Sequence, residues 1–136
     1  MLRIVDLTIH YADEVILDGV CLEVGTGEVV SLVGPSGEGK TTLLRVIAGI
    51  ERAESGSVFV DGRDVTSLPT FKRGIGLVFQ DNQLFPHLNV AENVAYGLRG
   101  LSKNQKSQRV TELLQLVGLA DIAERDVAVL SGGEAK

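Results

Sequence analysis

The run Gly34-Pro35-Ser36-Gly37-Glu38-Gly39-Lys40-Thr41 limits what this chain can fold into more than any other feature. It follows Val29-Val30-Ser31-Leu32-Val33, whose apolar, β-branched character predicts a buried strand. It precedes Thr41 to Ile50, apolar nearly all round through Leu43, Leu44, Val46, Ile47 and Ala48, which predicts a helix enclosed by protein. Strand, glycine loop and helix in that order are the setting of the pattern G-x-x-x-x-G-K-[ST], whose backbone N–H groups wrap phosphates. Glycine at 34, 37 and 39 lets the loop fold tightly against a multiply charged anion, and the helix opening near Lys40 adds the positive end of its dipole. Lys40 is expected to reach the β- and γ-phosphates and the Thr41 hydroxyl to bind Mg²⁺. A carboxylate beside phosphates would repel them, so Glu38 is expected to point to solvent at little cost.

The rest of the chain supplies a frame for that loop. Leu2 to His10 and Val15 to Val24 read as strands separated by the polar Asp13-Glu14, and Gly25-Thr26-Gly27 reads as a turn. Gly56 to Val60 followed by Asp61-Gly62 predicts a strand and hairpin turn, and Gly74 to Gln80 predicts another strand. Beyond Pro86 the pattern becomes helical. Asn89 with Glu92 can cap a helix carrying Val90, Val94 and Leu98 on one side, and Ser102 with Gln105 forms a capping box. Val110, Leu113, Leu114 and Val117 then recur at helical spacing until Gly118. The expected order is a mixed β/α core to about Gln80, then a helical subdomain.

Composition narrows the function classes. The chain has 136 residues, enough for one domain, and a 44% hydrophobic content suits a packed core. A net charge of -5 argues against a broad nucleic-acid surface, while a phosphate site needs only one loop and one lysine. Cys21 is the only cysteine, which rules out an internal disulfide and a cysteine-built metal site and leaves it as a small residue in a strand. His10 and His87 have no metal-ligand spacing. Met1 to Asp6 lacks the basic head and apolar run of a secretion signal, and no stretch is apolar for the roughly 18 residues a membrane span needs. The expectation is a cytoplasmic chain that meets a membrane only through a partner.

A second glycine segment, Leu130-Ser131-Gly132-Gly133-Glu134, offers a hydroxyl and glycine N–H groups at a helix start. Ser131 with Glu134 is also a capping box, so a plain helix start accounts for it when taken alone. Together with the upstream phosphate loop it resembles the signature of ATP-binding cassette (ABC) ATPases, a resemblance that runs from Leu2 to Glu134. The fold this implies is α/β of the P-loop NTPase kind: an antiparallel β subdomain plus an incomplete RecA-like β/α core, with a helical subdomain. Its implied division is residues 1–86 for the β subdomain and phosphate-loop core and 87–136 for the helical subdomain ending at the signature.

The resemblance also implies roles. Tyr11 falls where the family stacks an aromatic on adenine. Pro35, Ser36, Glu38 and Thr42 join Gly34, Gly37, Gly39, Lys40 and Thr41 around the phosphates of ATP. Gln80 matches the glutamine that contacts Mg²⁺ and the attacking water. Ser131, Gly132 and Gly133 would touch ATP held by a second ATPase subunit, in a homodimer or heterodimer. Asp81 to Leu88 looks like the surface that receives a membrane permease subunit, with Leu84 and Phe85 as its exposed apolar residues. Phe85-Pro86-His87-Leu88-Asn89-Val90-Ala91-Glu92-Asn93-Val94 resembles ATPases of bacterial importers for polyamines, ferric iron, sugars or thiamine. The implied protein is a transport ATPase, peripheral at the cytoplasmic face of the cell membrane, with no nucleic-acid partner.

Family members continue past the signature into an apolar strand ending in Asp-Glu and a later histidine, and residues 1–136 hold none of these. Asp121, Glu124 and Asp126 follow a helix and read as solvated. The sequence therefore leads us to expect hydrolysis only where those groups are supplied, poor solubility of these residues alone, and, as the alternative, a non-hydrolysing nucleotide-binding or decoy module. An ABC ATPase of DNA repair or translation is disfavoured by the net charge and the importer-like stretch.

Overall fold

A computed structural model of the chain describes residues 1–81 and 83–135; Asn82 and Lys136 lie outside the described residues. The chain divides into two compact units, Met1–Val78 and Phe79–Lys136.

The first unit is built on an antiparallel sheet. Its strands are β1 (Leu2–Tyr11), β2 (Glu14–Val24), β3 (Ser55–Val60) and β4 (Arg63–Asp64), in the spatial order β2-β1-β3-β4. Leu2 pairs with Val24 on one side and Val60 on the other, so β1 is the central strand of the three longer ones. The Asp61-Gly62 turn has φ of 49° and 78°, the two left-handed residues that a tight hairpin demands, and Val60 pairs with Arg63 across it. Ile4, Leu7 and Ile9 of β1, Leu17 of β2 and Val58 of β3 are buried on one face together with Val65. Leu43, Val46 and Ile47 of helix α1 (Lys40–Ala48) pack into the same cluster.

Three expectations for this unit change. Residues 29–33 are not a strand: Val29 and Val33 are each 92% exposed. Residues 74–80 are not a strand either. A strand exists only where its N–H and C=O groups find a ladder partner, and neither segment pairs with another among the described residues. Finally, α1 is not enclosed all round. It buries Leu43, Val46, Ile47 and Ala48 against the sheet and leaves Leu44 and Ile50 exposed, so it is one-sided.

Arg73 is the one buried charged residue recorded in the described part. Its guanidinium donates to the Val46 and Ile47 carbonyls at the end of α1 (2.8 and 3.1 Å) and to the carbonyls of Leu68 (2.8 Å) and Thr66 (2.7 Å). The last carbonyls of a helix have no partner within it, and a cation there also meets the negative end of the dipole. Gly49, with φ 79°, follows α1 because a Cβ there would overlap the Arg73 guanidinium. Burial lowers the Arg73 pKa from the usual arginine value, and the charge of Asp64 opposes that shift.

The second unit holds α2 (Val90–Tyr96) and α3 (Lys103–Leu116), each opened by the predicted capping box, from Asn89 with Glu92 and from Ser102 with Gln105. Val90, Val110, Leu114 and Ile122 form its buried core. Leu113 is half-buried and Val117 exposed, so the helical stripe is narrower than its spacing suggested, and Gly118 (φ 72°) follows its end. Asp126 caps a short 3₁₀ turn through the Ala128 N–H (2.8 Å) and Glu124 accepts from Asn89 (3.1 Å), so these exposed carboxylates also hold the chain's course. Among the described residues no helix is long and apolar enough to cross a membrane.

Replacing Arg73 by alanine removes a donor from four carbonyls, of which Val46 alone keeps another in the Gly49 N–H, at an expected cost of about 3 kcal/mol in unfolding free energy. Arg109, in an exposed i,i+3 pair with Glu112 at 3.1 Å, should cost less than about 0.5 kcal/mol when replaced the same way. Urea titration of both variants checks the contrast; equal losses would contradict it.

Candidate functional site

The phosphate loop is shaped by close approach to β2. Gly39 is buried with φ 74°, and a Cβ on it would stand 2.7 Å from the Ile16 carbonyl oxygen and 2.8 Å from Leu17 Cδ2. Only glycine fits both the left-handed backbone and that space. Gly37 (φ 93°) supplies a second left-handed turn in the open part of the loop. Gly39 is also the N-cap of α1, and no side chain caps this helix. Its first-turn N–H groups are thus left for an anion, in contrast to α2 and α3, whose caps occupy theirs.

The Lys40 ammonium turns back over the loop, donating to the Gly34 carbonyl (2.8 Å) and to that of Pro35. Neutral carbonyls are weaker acceptors than phosphate oxygens, so this is an arrangement an anion can displace. Thr41 is exposed and Thr42 half-buried. Glu38 is exposed, with its carboxylate lying beside the loop backbone. Its Oε2 lies 2.7 Å from where a Cβ of Gly34 would stand, and the Lys40 Nζ is 3.9 Å from the same point. Glu38 remains exposed to solvent and makes no ion pair with Lys40.

Tyr11, at the end of β1, is 48% exposed, and its hydroxyl donates to Glu51 Oε2. That hydrogen bond is the main reason its pKa is raised above the usual phenol value, while the Thr42 side chain pulls the other way. The structure thus brings Tyr11 to the first turn of α1 beside the loop. Glu51 was not among the sequence candidates. No short-range pattern links it to Tyr11, because 40 residues separate them.

The remaining candidates lie in the second unit. Gln80 is exposed on a bend. Leu84 and Phe85 are half-buried rather than exposed, because each packs within its own unit: Leu84 lines an apolar groove with Val94, Val117 and Leu130, and Phe85 packs on Tyr96 with ring centres 4.2 Å apart. Asn93 ties down that turn through Phe85 and Leu88. Ser131 and Glu134 form the reciprocal capping pair: the Ser131 N–H and hydroxyl donate to Glu134 Oε2 (2.8 and 2.6 Å), and the Glu134 N–H returns to Ser131 Oγ (3.3 Å). Gly132 and Gly133 are exposed in the turn between them. Among the described residues no group of three or more His, Cys, Asp or Glu could hold a metal ion.

A glycine loop leading into an uncapped helix is the local arrangement of a P-loop fold, and comparison places the chain more closely. Residues 17–136 match the model of the ABC transporter family, and the chain belongs to that family. It is similar to an Fe(3+) ions import ATP-binding protein of Streptomyces coelicolor, with 49% identity over 98% of this chain and 39% of the relative. A spermidine/putrescine import ATP-binding protein of Thermotoga maritima is 48% identical over 91% of this chain and 34% of its own length. The chain thus spans about two fifths or less of these curated relatives. An ATP-binding cassette solved as a dimer bound to ADP and Pi, in a post-hydrolysis state, superposes with a TM-score of 0.84 and 32% identity, covering 99% of this chain and 65% of that one.

Donation from Ser131 holds the Glu134 carboxyl below its usual pKa, with the Arg125 charge adding to the effect. A depressed carboxyl stabilises above its unfolded pKa and loses that contribution as pH falls through the folded one, so the Ser131 turn loosens only in acid. Ser131→Ala should raise the Glu134 pKa toward the ordinary glutamate value in a carboxyl NMR titration. An unmoved titration curve would contradict the pairing.

Proposed function

We propose that this chain is the ATP-binding part of an import ABC transporter ATPase. The uncapped start of α1 behind two left-handed glycines, with a lysine held only by carbonyls, is the observation that supports it best. In this reading Gly34, Pro35, Ser36, Gly37, Glu38, Gly39 and Thr42 surround the phosphates, and Lys40 leaves its carbonyls for the β- and γ-oxygens. Tyr11 stacks on the adenine. Thr41 and Gln80 are the ligands these residues offer to Mg²⁺, whose chemistry is to neutralise charge on the phosphate oxygens. Gln80 also orients the attacking water.

Ser131, Gly132 and Gly133 serve the ATP of a second ATPase subunit, and the dimer is coupled to membrane permease subunits at the cytoplasmic face. The functional division is residues 1–86 for nucleotide and 87–136 for the permease-facing helical part and signature. The importer reading draws on relatives that carry iron or polyamine import in their names, and the half-buried Leu84 and Phe85 suit a permease socket. Hydrolysis needs the aspartate, glutamate and histidine that the family resemblance implies and residues 1–136 do not contain.

Calorimetric titration with Mg-ATP tests the assignment. Lys40→Ala should weaken binding at least about tenfold, the loss of charge-assisted hydrogen bonds to phosphate. Glu38→Gln should tighten it roughly threefold by removing an exposed like charge from the loop. Binding that ignores Lys40 would overturn the assignment.

A further inference from the structure

The end of β1 is stitched to the segment that follows α1. The Glu54 N–H donates to the Thr8 carbonyl (2.9 Å), and His10 donates its backbone N–H to Glu54 Oε1 (3.1 Å) while its Nδ1 lies 2.9 Å from Oε2. One residue further on, Tyr11 donates its hydroxyl to Glu51 Oε2. Glu51 is itself fixed twice by Arg45. Its N–H donates to the Arg45 carbonyl (3.3 Å), and its Oε1 accepts from Arg45 Nη1 (3.2 Å). The Glu51 side chain is only 22% exposed, whereas its partners Arg45 and Tyr11 are about half exposed. Arg45 stands on α1, the helix that begins with Lys40. The path from the phosphate lysine to the tyrosine ring therefore runs through one rigid helix, one ion pair and one hydrogen bond.

We infer that Glu51 is a positioning residue for nucleotide binding: clamped by Arg45, it holds the Tyr11 ring at a fixed distance from the phosphate loop and so sets the spacing between base and phosphates. This rests on the reading of Tyr11 as the adenine platform and assigns the element that orients it. A tyrosine on a strand end has free χ rotation, and ordering it at the moment of binding costs affinity; a hydrogen bond already made removes that cost. The raised Tyr11 pKa agrees with a phenol that keeps its proton for Glu51. Glu51 reaches the base side through Tyr11, and its own hydrogen bonds, to Tyr11 and Arg45, involve neither the loop amides nor Lys40.

The test compares ATP with inorganic tripolyphosphate, which has the phosphates and no base, on the full chain. Glu51→Ala and Tyr11→Phe should each weaken ATP binding about fivefold, the net size of one ordinary hydrogen bond, and the double variant should lose no more than either. Tripolyphosphate binding should stay within about twofold of the original chain in all three. Glu51→Gln keeps an oxygen to accept the phenol proton and should recover part of the loss, with thermal unfolding followed alongside; Tyr11→Phe removes only a hydroxyl and remains informative if Glu51→Ala fails to fold. Equal loss of both ligands, or additive losses in the double variant, overturns the positioning role. Base-dependent binding that Glu51→Ala leaves intact overturns this inference alone. An original chain that binds tripolyphosphate as tightly as ATP overturns the role of Tyr11 as the base platform, and the inference with it.

Discussion

Helix α1 is fixed at both ends by contacts that tolerate little change. At its start, Gly39 presses so closely on Ile16 and Leu17 of β2 that no side chain fits there. At its end, the buried Arg73 collects two of the helix's last carbonyls along with those of Leu68 and Thr66. The face between buries Leu43, Val46 and Ile47 in the sheet's core. These contacts together let the first turn stay uncapped, which for a free helix would waste its leading N–H groups. Tertiary packing holds the helix, so its first turn needs no side-chain cap.

Charge around that open end is balanced rather than uniformly positive. Lys40 rests on loop carbonyls, and the exposed Glu38 carboxylate lies beside Gly34. An entering phosphate would have to take Lys40 from its carbonyls and meet a like charge at Glu38, so the loop carries its own counterweight to anion binding. On the tyrosine side the balance is struck differently: Glu51 is matched by Arg45, leaving one carboxylate oxygen for the Tyr11 phenol.

Features encoded within a few residues were readable in the sequence. The capping boxes at Asn89 and Ser102 and the Asp61-Gly62 hairpin depend on neighbours one to three positions away, and all are present; the glycine loop was legible from its own pattern, although its fit against β2 was not. Residues 29–33 and 74–80 carry strand-like composition, yet strand formation depends on a partner that local pattern does not reveal. The one-sidedness of α1 was hidden for a similar reason, since Leu44 and Ile50 are as apolar as the residues that are buried. The Glu51 clamp on Tyr11 was invisible because it is decided by where a distant charge settles.

The most direct measurement of the proposed nucleotide site is amide hydrogen exchange of the full chain with and without Mg-ATP. Slowed exchange at residues 36–42, together with slowed exchange at Tyr11 and Glu51, is the expected result. Slowing elsewhere with the loop amides unchanged would contradict nucleotide binding at the start of α1.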